Sequence, residues 1–169
     1  MNNKWQTHTS EKLYLADVQL KEWGAKLRDH GDSLPQSIQA SFKQASMLLI
    51  SLGWESLLNE LAEYHQQKTN YLINLQQLVM LLGDDIPEIA YLSEIAVKPD
   101  SWLYDVTCFD KLLKQPQSRT PDYAASLTKD ALIVVSSSAE PIDSFNNIKR
   151  ILGEFKVYLT ELRVRMSEW

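Results

Sequence analysis

Apolar residues recur at three- and four-residue steps along most of the chain, which is the period of an amphipathic α-helix. The first helix carries such a stripe, formed by Leu13, Ala16, Leu20, Trp23 and Leu27. We expect this helix to begin near Thr9 or Ser10, whose side chains suit an N-cap, and to end at Gly31. Residues 1–8 are predicted to form a frayed polar N-terminus.

A second, longer helix is predicted from about Gln36 to Gln67. No charged residue occurs between Gln44 and Trp54, and apolar side chains occupy several faces of this stretch. A helix that is apolar nearly all round is surrounded by other elements, so we expect this helix at the centre of the fold. Gly53 is unfavourable in mid-helix and is expected to admit a neighbouring backbone or the Trp54 ring.

The rest of the chain predicts three shorter helices and one long one. The shorter helices cover residues 72–82, residues 87–96 with Pro87 in the first turn, and a segment that Asp100 or Ser101 can cap. The last helix is predicted over about residues 143–168. Between them, residues 115–126 contain two prolines and predict a loop, and the β-branched run after it predicts an extended segment near 131–136.

These elements predict an all-α fold, a compact up-and-down bundle of five to six helices. A chain of 169 residues fits one domain, residues 1–169, and buries enough surface to need no disulfide or metal. Five glycines and six prolines are few for a fold with many tight turns, which also favours helices.

Charge and cysteine content suggest a compartment and exclude some partners. The net charge of −5 argues against non-specific binding to nucleic acid or anionic lipid, because both favour basic surfaces. The single Cys108 cannot form an internal disulfide, as expected for a reducing cytoplasm. The polar start resembles no signal peptide, and the apolar run 47–52 is too short to cross a membrane, so we expect a cytoplasmic protein.

Candidate chemistry is sparse, and we predict no catalytic residue, cofactor or metal. The three histidines lack the i, i+4 spacing of a metal site. His65 lies on the apolar seam of the second helix, near Glu60 and Glu63, which are one turn apart. Such carboxylates most often form a solvated face, but with His65 they also define a hypothetical polar site for an enzyme.

Two further features bear on possible partners. Trp5 and Trp169 lie near the two ends of the chain, where they either anchor the termini or contact a protein partner, and we favour anchoring. The last helix carries cations interleaved with glutamates, which indicates an exposed face and makes nucleic-acid binding unlikely. The cations are Lys149, Arg150, Lys156, Arg163 and Arg165.

Four stretches together resemble a known family. They are residues 10–16, 57–64 and 100–103 and the ending 162–169, with Trp102 and Trp169 as aromatic anchors. In this order they resemble a family of small uncharacterised proteins from Pseudomonas-like proteobacteria, classed as a domain of unknown function. The resemblance implies a bacterial, intracellular, all-helical protein and brings no activity, substrate or cofactor.

Three functional hypotheses follow. We favour a non-catalytic protein-interaction or structural module, with a homodimer or another protein as partner, because no reactive motif is present and aromatic residues are abundant. The first alternative is an enzyme whose site is assembled between helices around His65 and the nearby carboxylates. The second alternative is a nucleic-acid-associated regulator that uses the last helix.

Overall fold

The computed structural model describes residues 4–114 and 141–167, and these residues form six α-helices. The helices are α1 (Lys4–His30), α2 (Gln36–Tyr64), α3 (Leu75–Leu82), α4 (Pro87–Ala96), α5 (Trp102–Lys114) and α6 (Phe145–Ser167). The described residues contain no strand. The prediction of an all-α bundle of five to six helices is therefore confirmed. The loop predicted at 115–126, the extended segment predicted near 131–136 and Trp169 lie outside the described residues.

The helices α1 and α2 form an antiparallel pair whose mutual contact is the most extensive in the described structure. A Cβ atom added to Gly53 of α2 would come within 2.8 Å of Leu13 Cδ2 of α1. The missing side chain thus allows the buried Leu13 to lie directly on the α2 backbone. The interpretation that Gly53 admits a neighbour is correct, but the neighbour is a side chain of the first helix.

The start of α1 differs from the prediction. The helix begins at Lys4, so the frayed N-terminus predicted for residues 1–8 is wrong for residues 4–8. Thr9 is buried and its hydroxyl donates to the carbonyl of Trp5 at 2.9 Å, which is a helix-interior role and not a cap. One residue earlier, His8 Nδ1 lies 2.6 Å from Ser56 Oγ of α2. Contact with α2 therefore extends the helix beyond the point that its apolar stripe predicts.

The end of α2 also differs, because the helix stops at Tyr64 and not near Gln67. Gln66 adopts a left-handed backbone conformation with φ of 63°. The Gln67 N–H donates to the Ala62 carbonyl at 2.8 Å, and the Gln66 N–H donates to the Glu63 carbonyl at 3.0 Å. This pair of bonds is the Schellman arrangement, which satisfies the last carbonyls of a helix.

Local side-chain bonds fix the starts of two further helices. Asn74 and Gln77 form a capping box with two bonds of 2.9 Å, which starts α3 three residues later than predicted. Ser101 Oγ accepts from the Tyr104 N–H at 3.0 Å, which confirms Ser101 as the cap of α5. Pro87 stands in the first turn of α4, as expected.

An aromatic cluster connects α2, α5 and α6 in the core. Trp102 stacks on Phe155 with ring centroids 4.7 Å apart, and the Trp54 ring meets Trp102 edge-on at 5.8 Å. Both tryptophans are buried. Tyr158 continues the cluster, 5.5 Å from Trp102. This cluster fixes the position of α6 against α2 and α5.

None of the described helices combines the length and the hydropathy that crossing a membrane requires.

Candidate functional site

The centre of the predicted polar site is a buried ion pair between Glu60 of α2 and Arg163 of α6. Arg163 Nε lies 2.8 Å from Glu60 Oε1, and Arg163 Nη2 lies 2.8 Å from Glu60 Oε2. The Glu60 side chain is only 3% exposed, and that of Arg163 is 24% exposed. Two parallel bonds of this kind are the strongest geometry for a guanidinium and a carboxylate.

The guanidinium of Arg163 also binds the first turns of α1. Arg163 Nη1 donates to Ser10 Oγ at 3.0 Å, and Nη2 donates to the Gln6 carbonyl at 3.0 Å. One side chain thereby joins α1, α2 and α6. Since each bond has good length and the carboxylate is satisfied, the cluster primarily stabilises this end of the bundle.

A polar cleft of about 790 Å³ lies over this ion pair. Glu60 and Glu63 both contribute to its lining, with Lys4, Tyr64, Arg163 and Met166 among the other residues. Glu63 is the more accessible carboxylate, with its side chain 21% exposed and 3.9 Å from Lys4 Nζ. The structure thus brings Glu60 and Glu63 to one cleft, as the sequence suggested.

His65 is not part of that cleft. It is the C-cap residue of α2, and its ring meets Tyr64 edge-on at 5.1 Å. Its Nε2 atom is buried and has no hydrogen-bond partner among the described residues. The three residues of the predicted polar site therefore do not converge. A general base needs an accessible carboxylate or imidazole, and Glu60 has both oxygens bonded to Arg163, which leaves Glu63, 3.9 Å from Lys4 Nζ, as the accessible carboxylate of the cleft.

The cations of α6 do not form one exposed face. Arg150 binds Asp105 of α5 at 2.6 Å and Glu154 at 3.0 Å, while Arg163 turns inward to Glu60. Burial raises the pKa of Asp105, and the Arg150 guanidinium partly opposes that rise. The prediction of an exposed face of mixed charges is thus wrong for Arg163, which turns inward to Glu60, whereas Arg150 is exposed and pairs with Glu154 of its own helix.

A second cleft was not indicated by the sequence. It lies between α1 and α6, has a volume of about 400 Å³, and is lined by Lys21 and Arg28 of α1 and Lys149 and Lys156 of α6. We call it the cationic cleft. Among the described residues that line it, Asp17 is the only carboxylate, and it pairs with Lys21 at 2.7 Å and with Lys156 at 3.1 Å. No linear spacing reveals this site, because its cations come from two helices more than 100 residues apart.

The hydrogen bond from Lys21, with a further contribution from Lys156, lowers the pKa of Asp17 despite its partial burial. Asp17 therefore remains an anion at neutral pH and holds both ammonium groups at one end of the cationic cleft.

The tryptophan near the N-terminus contacts its own chain. Trp5 is half-buried, meets the His8 ring edge-on at 5.9 Å and has Lys4 Nζ 5.2 Å from its ring centre. Since His8 in turn contacts Ser56 of α2, the described contacts of Trp5 suit an anchor of the first helix. The other terminal tryptophan, Trp169, lies outside the described residues.

The short helix α3 presents an exposed face without charge. The sequence of this helix contains no charged residue, and only Leu78 is fully buried. Its exposed residues are Gln76, Gln77, Met80 and Leu81, which recur at i, i+4 positions and therefore share one face. Met80 is 75% exposed and Leu81 is 44% exposed. We call these four residues the α3 face.

Other reactive groups give no assembled site. Cys108 is a free, half-buried thiol. Within residues 4–114 and 141–167, no three side chains of His, Cys, Asp or Glu lie close enough together to hold a metal ion.

Comparison with known proteins identifies a family without a known activity. The family model described as "Family of unknown function (DUF6586)" matches residues 1–169, so it covers the whole chain. No curated protein and no solved structure matches the chain.

Proposed function

Because the chain belongs to the DUF6586 family of unknown function, we propose its role from its own surface. The protein is a non-catalytic interaction module that associates with a second copy of itself through the α3 face.

The observation that supports this proposal is the exposure of Met80 and Leu81 on a helix without charge. Among the described elements, α3 packs only against α2 and α4. A helix that is apolar on most sides is usually covered by partners. Interface centres are depleted in charge and enriched in methionine, which matches the composition of the α3 face.

A second copy of the chain is the partner that fits this face most simply. In a two-fold dimer the same patch meets itself, so a charged patch would bring like charges together, whereas an uncharged patch does not. A glutamine amide can donate and accept at once, so Gln76 can bond to its own copy. An eight-residue helix covers less than the roughly 800 Å² per partner of a standard interface, so we expect a weak, concentration-dependent dimer.

Sedimentation velocity over a range of concentrations tests this proposal. We expect the wild-type chain to shift from monomer to dimer as concentration rises, and the double variant Met80→Glu, Leu81→Glu to remain monomeric. The matched control is Val97→Glu, Val164→Glu, which adds the same charge at two exposed apolar residues away from α3. This control is expected to dimerise like the wild type.

A wild-type chain that stays monomeric at the highest concentration would reject self-association. Equal loss of the dimer in the control and in the α3 variant would show that added charge, and not the α3 face, is responsible. Circular dichroism of each variant establishes that the helices are retained.

We propose the bacterial cytoplasm as the location. The lone free thiol of Cys108 supports a reducing compartment, and the resemblance to proteobacterial proteins supports a bacterial source. Fractionation of a bacterium that carries the gene tests this, and recovery in the periplasmic fraction would reject it.

The two alternative functions have less support. An enzyme with its site around His65 has little support, because His65 does not line the cleft that Glu60 and Glu63 share. The accessible Glu63 therefore has no imidazole beside it in that cleft. A nucleic-acid surface on α6 would need a dense row of unpaired cations, but Arg150 and Arg163 are paired with carboxylates of the chain.

A further inference from the structure

We propose that the cationic cleft between α1 and α6 binds a small organic anion. Arg28 and Lys149 hold the charged oxygens of that ligand, and Phe145 contacts its apolar body. This site is separate from the α3 face, so it does not depend on self-association.

The charge of the cleft is opposite to that of the whole chain. The described residues that line it include four cationic side chains and one carboxylate, although the chain as a whole has a net charge of −5. Its volume of about 400 Å³ lies within the range of sites for small molecules. Cations lining the walls of a concave surface focus the positive potential and attract anions from solution.

The two ends of the cleft differ in how their cations are paired. Lys21 and Lys156 are both bonded to Asp17, which neutralises part of their charge. Within the described part of the chain, no carboxylate forms an ion pair with Arg28 or Lys149. The end formed by these two residues is therefore where an incoming anion finds unneutralised charge.

The Arg28 guanidinium and the Phe145 ring converge on Gly24. A Cβ atom on Gly24 would lie 3.0 Å from Phe145 Cζ and 3.8 Å from Arg28 Nη1. Phe145 is itself held edge-on by the buried Trp23, with ring centroids 5.3 Å apart. A charged group and a fixed aromatic ring thus stand side by side, which suits a ligand with an anionic head and an apolar body.

The opposite wall of the cleft is open because it carries a glycine. A Cβ atom on Gly153 of α6 would meet no atom of the described residues within 4 Å. Glycine in mid-helix costs stability relative to alanine, and packing gives no reason for it here. The nearly buried Leu20 and Leu152 form an apolar floor between the two walls. Space, floor and charge together define a site for a carboxylate or a phosphate ester.

Amide NMR spectra of the labelled, full-length chain provide the test, with phenyl phosphate as the probe. We expect the amide resonances of Gly24 and Gly153 to shift saturably as phenyl phosphate is added. The amide resonances of Gly53 and Gly83, which lie outside the cleft, should not shift. Inorganic phosphate should bind more weakly because it lacks the apolar body, and neutral benzyl alcohol should not bind, because it lacks the charge.

Two variants locate the site. Arg28→Gln, Lys149→Gln is expected to weaken phenyl phosphate binding by about tenfold or more, because it removes both charge-assisted contacts. The matched control Lys26→Gln, Lys98→Gln removes the same charge from two exposed residues outside the cleft and should bind as the wild type does. Gly153→Leu should also block binding while the helix is retained, because leucine fills the open wall.

Three results would overturn the proposal. The first is a set of shifts spread over surface lysines without saturation, which indicates non-specific attraction. The second is equal weakening in the control and in the Arg28 and Lys149 variant. The third is phenyl phosphate binding unchanged by Gly153→Leu in a protein whose helical spectrum is intact.

Discussion

Glu60 and Glu63 are one helical turn apart and look alike in the sequence, yet their surroundings differ. Glu60 is 2% exposed and bonded through both oxygens to Arg163, whereas Glu63 faces the polar cleft with Lys4 nearby. A buried carboxylate requires a partner, because its charge loses the solvation that water provides. The role of each glutamate is therefore set by a residue on α6 that lies about 100 positions later in the chain.

Replacing the cation of this pair should destabilise the fold. We expect Arg163→Met to lower the free energy of unfolding by about 3 kcal/mol, since it leaves the Glu60 carboxylate buried and unpaired. Urea denaturation followed by tryptophan fluorescence measures the change.

The neighbouring Arg165→Met is the control, since that side chain is exposed and outside the pair, and it should change stability by less than about 0.5 kcal/mol. The double variant Glu60→Met, Arg163→Met should regain most of the lost stability, because both charges are gone. If the single Arg163 variant were as stable as the wild type, the ion pair would not support this end of the bundle.

Glu55 gives a pH prediction with a definite sign. Burial raises the pKa of Glu55 above its usual value of 4.5. The folded state therefore holds the proton more tightly than the unfolded state does, and ionised Glu55 costs stability above the raised pKa. We expect Glu55→Gln to be more stable than the wild type at neutral pH. This advantage should shrink as the pH falls through the raised pKa and vanish below 4.5.

Urea midpoints of both proteins, measured in parallel at each pH, test this, because all other carboxylates cancel in the difference. A constant difference across the range would contradict it.

At the scale of the elements, two glycines in helix interiors have opposite surroundings. Gly53 of α2 lies under Leu13 of α1, whereas Gly153 of α6 has open space where a side chain would be. Both glycines lower helix propensity to the same extent. Only the packing of the helices distinguishes a glycine needed for contact from one that leaves a wall open.

Alanine substitution at these two positions should have effects of opposite sign. We expect Gly53→Ala to destabilise the fold by about 1 kcal/mol, because overpacking against Leu13 exceeds the gain in helix propensity. Gly153→Ala should stabilise it by about 0.5–1 kcal/mol, because the same propensity gain meets no clash.

Thermal unfolding of both variants measures these effects. In a double variant that combines Gly53→Ala with Leu13→Val, the loss of unfolding free energy should be smaller than the sum of the two single losses, since the smaller side chain relieves the overlap. If Gly53→Ala alone raised the unfolding temperature, the prediction would be wrong, because Leu13 would then move aside without cost.

Across the whole molecule, burial among the described helices is densest in the second half of α2. From Gly53 to Ala62, every residue except Glu55 is buried, and the inward stripe of α6 is buried from Ile148 to Leu162. In α3 only Leu78 is fully buried. Segments with few buried contacts open more easily than the core does.

Native-state hydrogen exchange should therefore rank the helices. We expect the amides of residues 53–62 to exchange only through global unfolding, and those of α3 to exchange earlier through local opening. Mass spectrometry of labelled peptides makes the comparison at a low protein concentration, at which a weak dimer dissociates. Equal protection of α3 and the centre of α2 would contradict this ranking.

Much of the secondary structure was predictable because it depends on nearby residues. The apolar period located all six described helices, and Pro87 and Ser101 marked two of their starts. The errors lie at helix ends. The start of α1 depends on contact with α2, and the end of α2 depends on a left-handed Gln66 that the sequence does not mark. A helix terminus depends on a few hydrogen bonds, so a small energy from tertiary contacts can move it by several residues.

The candidate sites were predictable only in part. The sequence named Glu60 and Glu63, which share a cleft, but grouped them with His65, which does not line it. It gave no sign of the cationic cleft, because Arg28 and Lys149 meet only when α1 and α6 pack together.

The helices of this chain, and the stripe of each that turns inward, follow from its amino acids alone, since helical period and apolar side chains act over one or two turns. Charge pairing follows from the packing of the helices: Glu60 pairs with Arg163, whereas Arg28 and Lys149 form no ion pair with a described carboxylate. The two differ in range. Hydrophobic periodicity is recorded along the chain, whereas charge pairing depends on distances across space between helices.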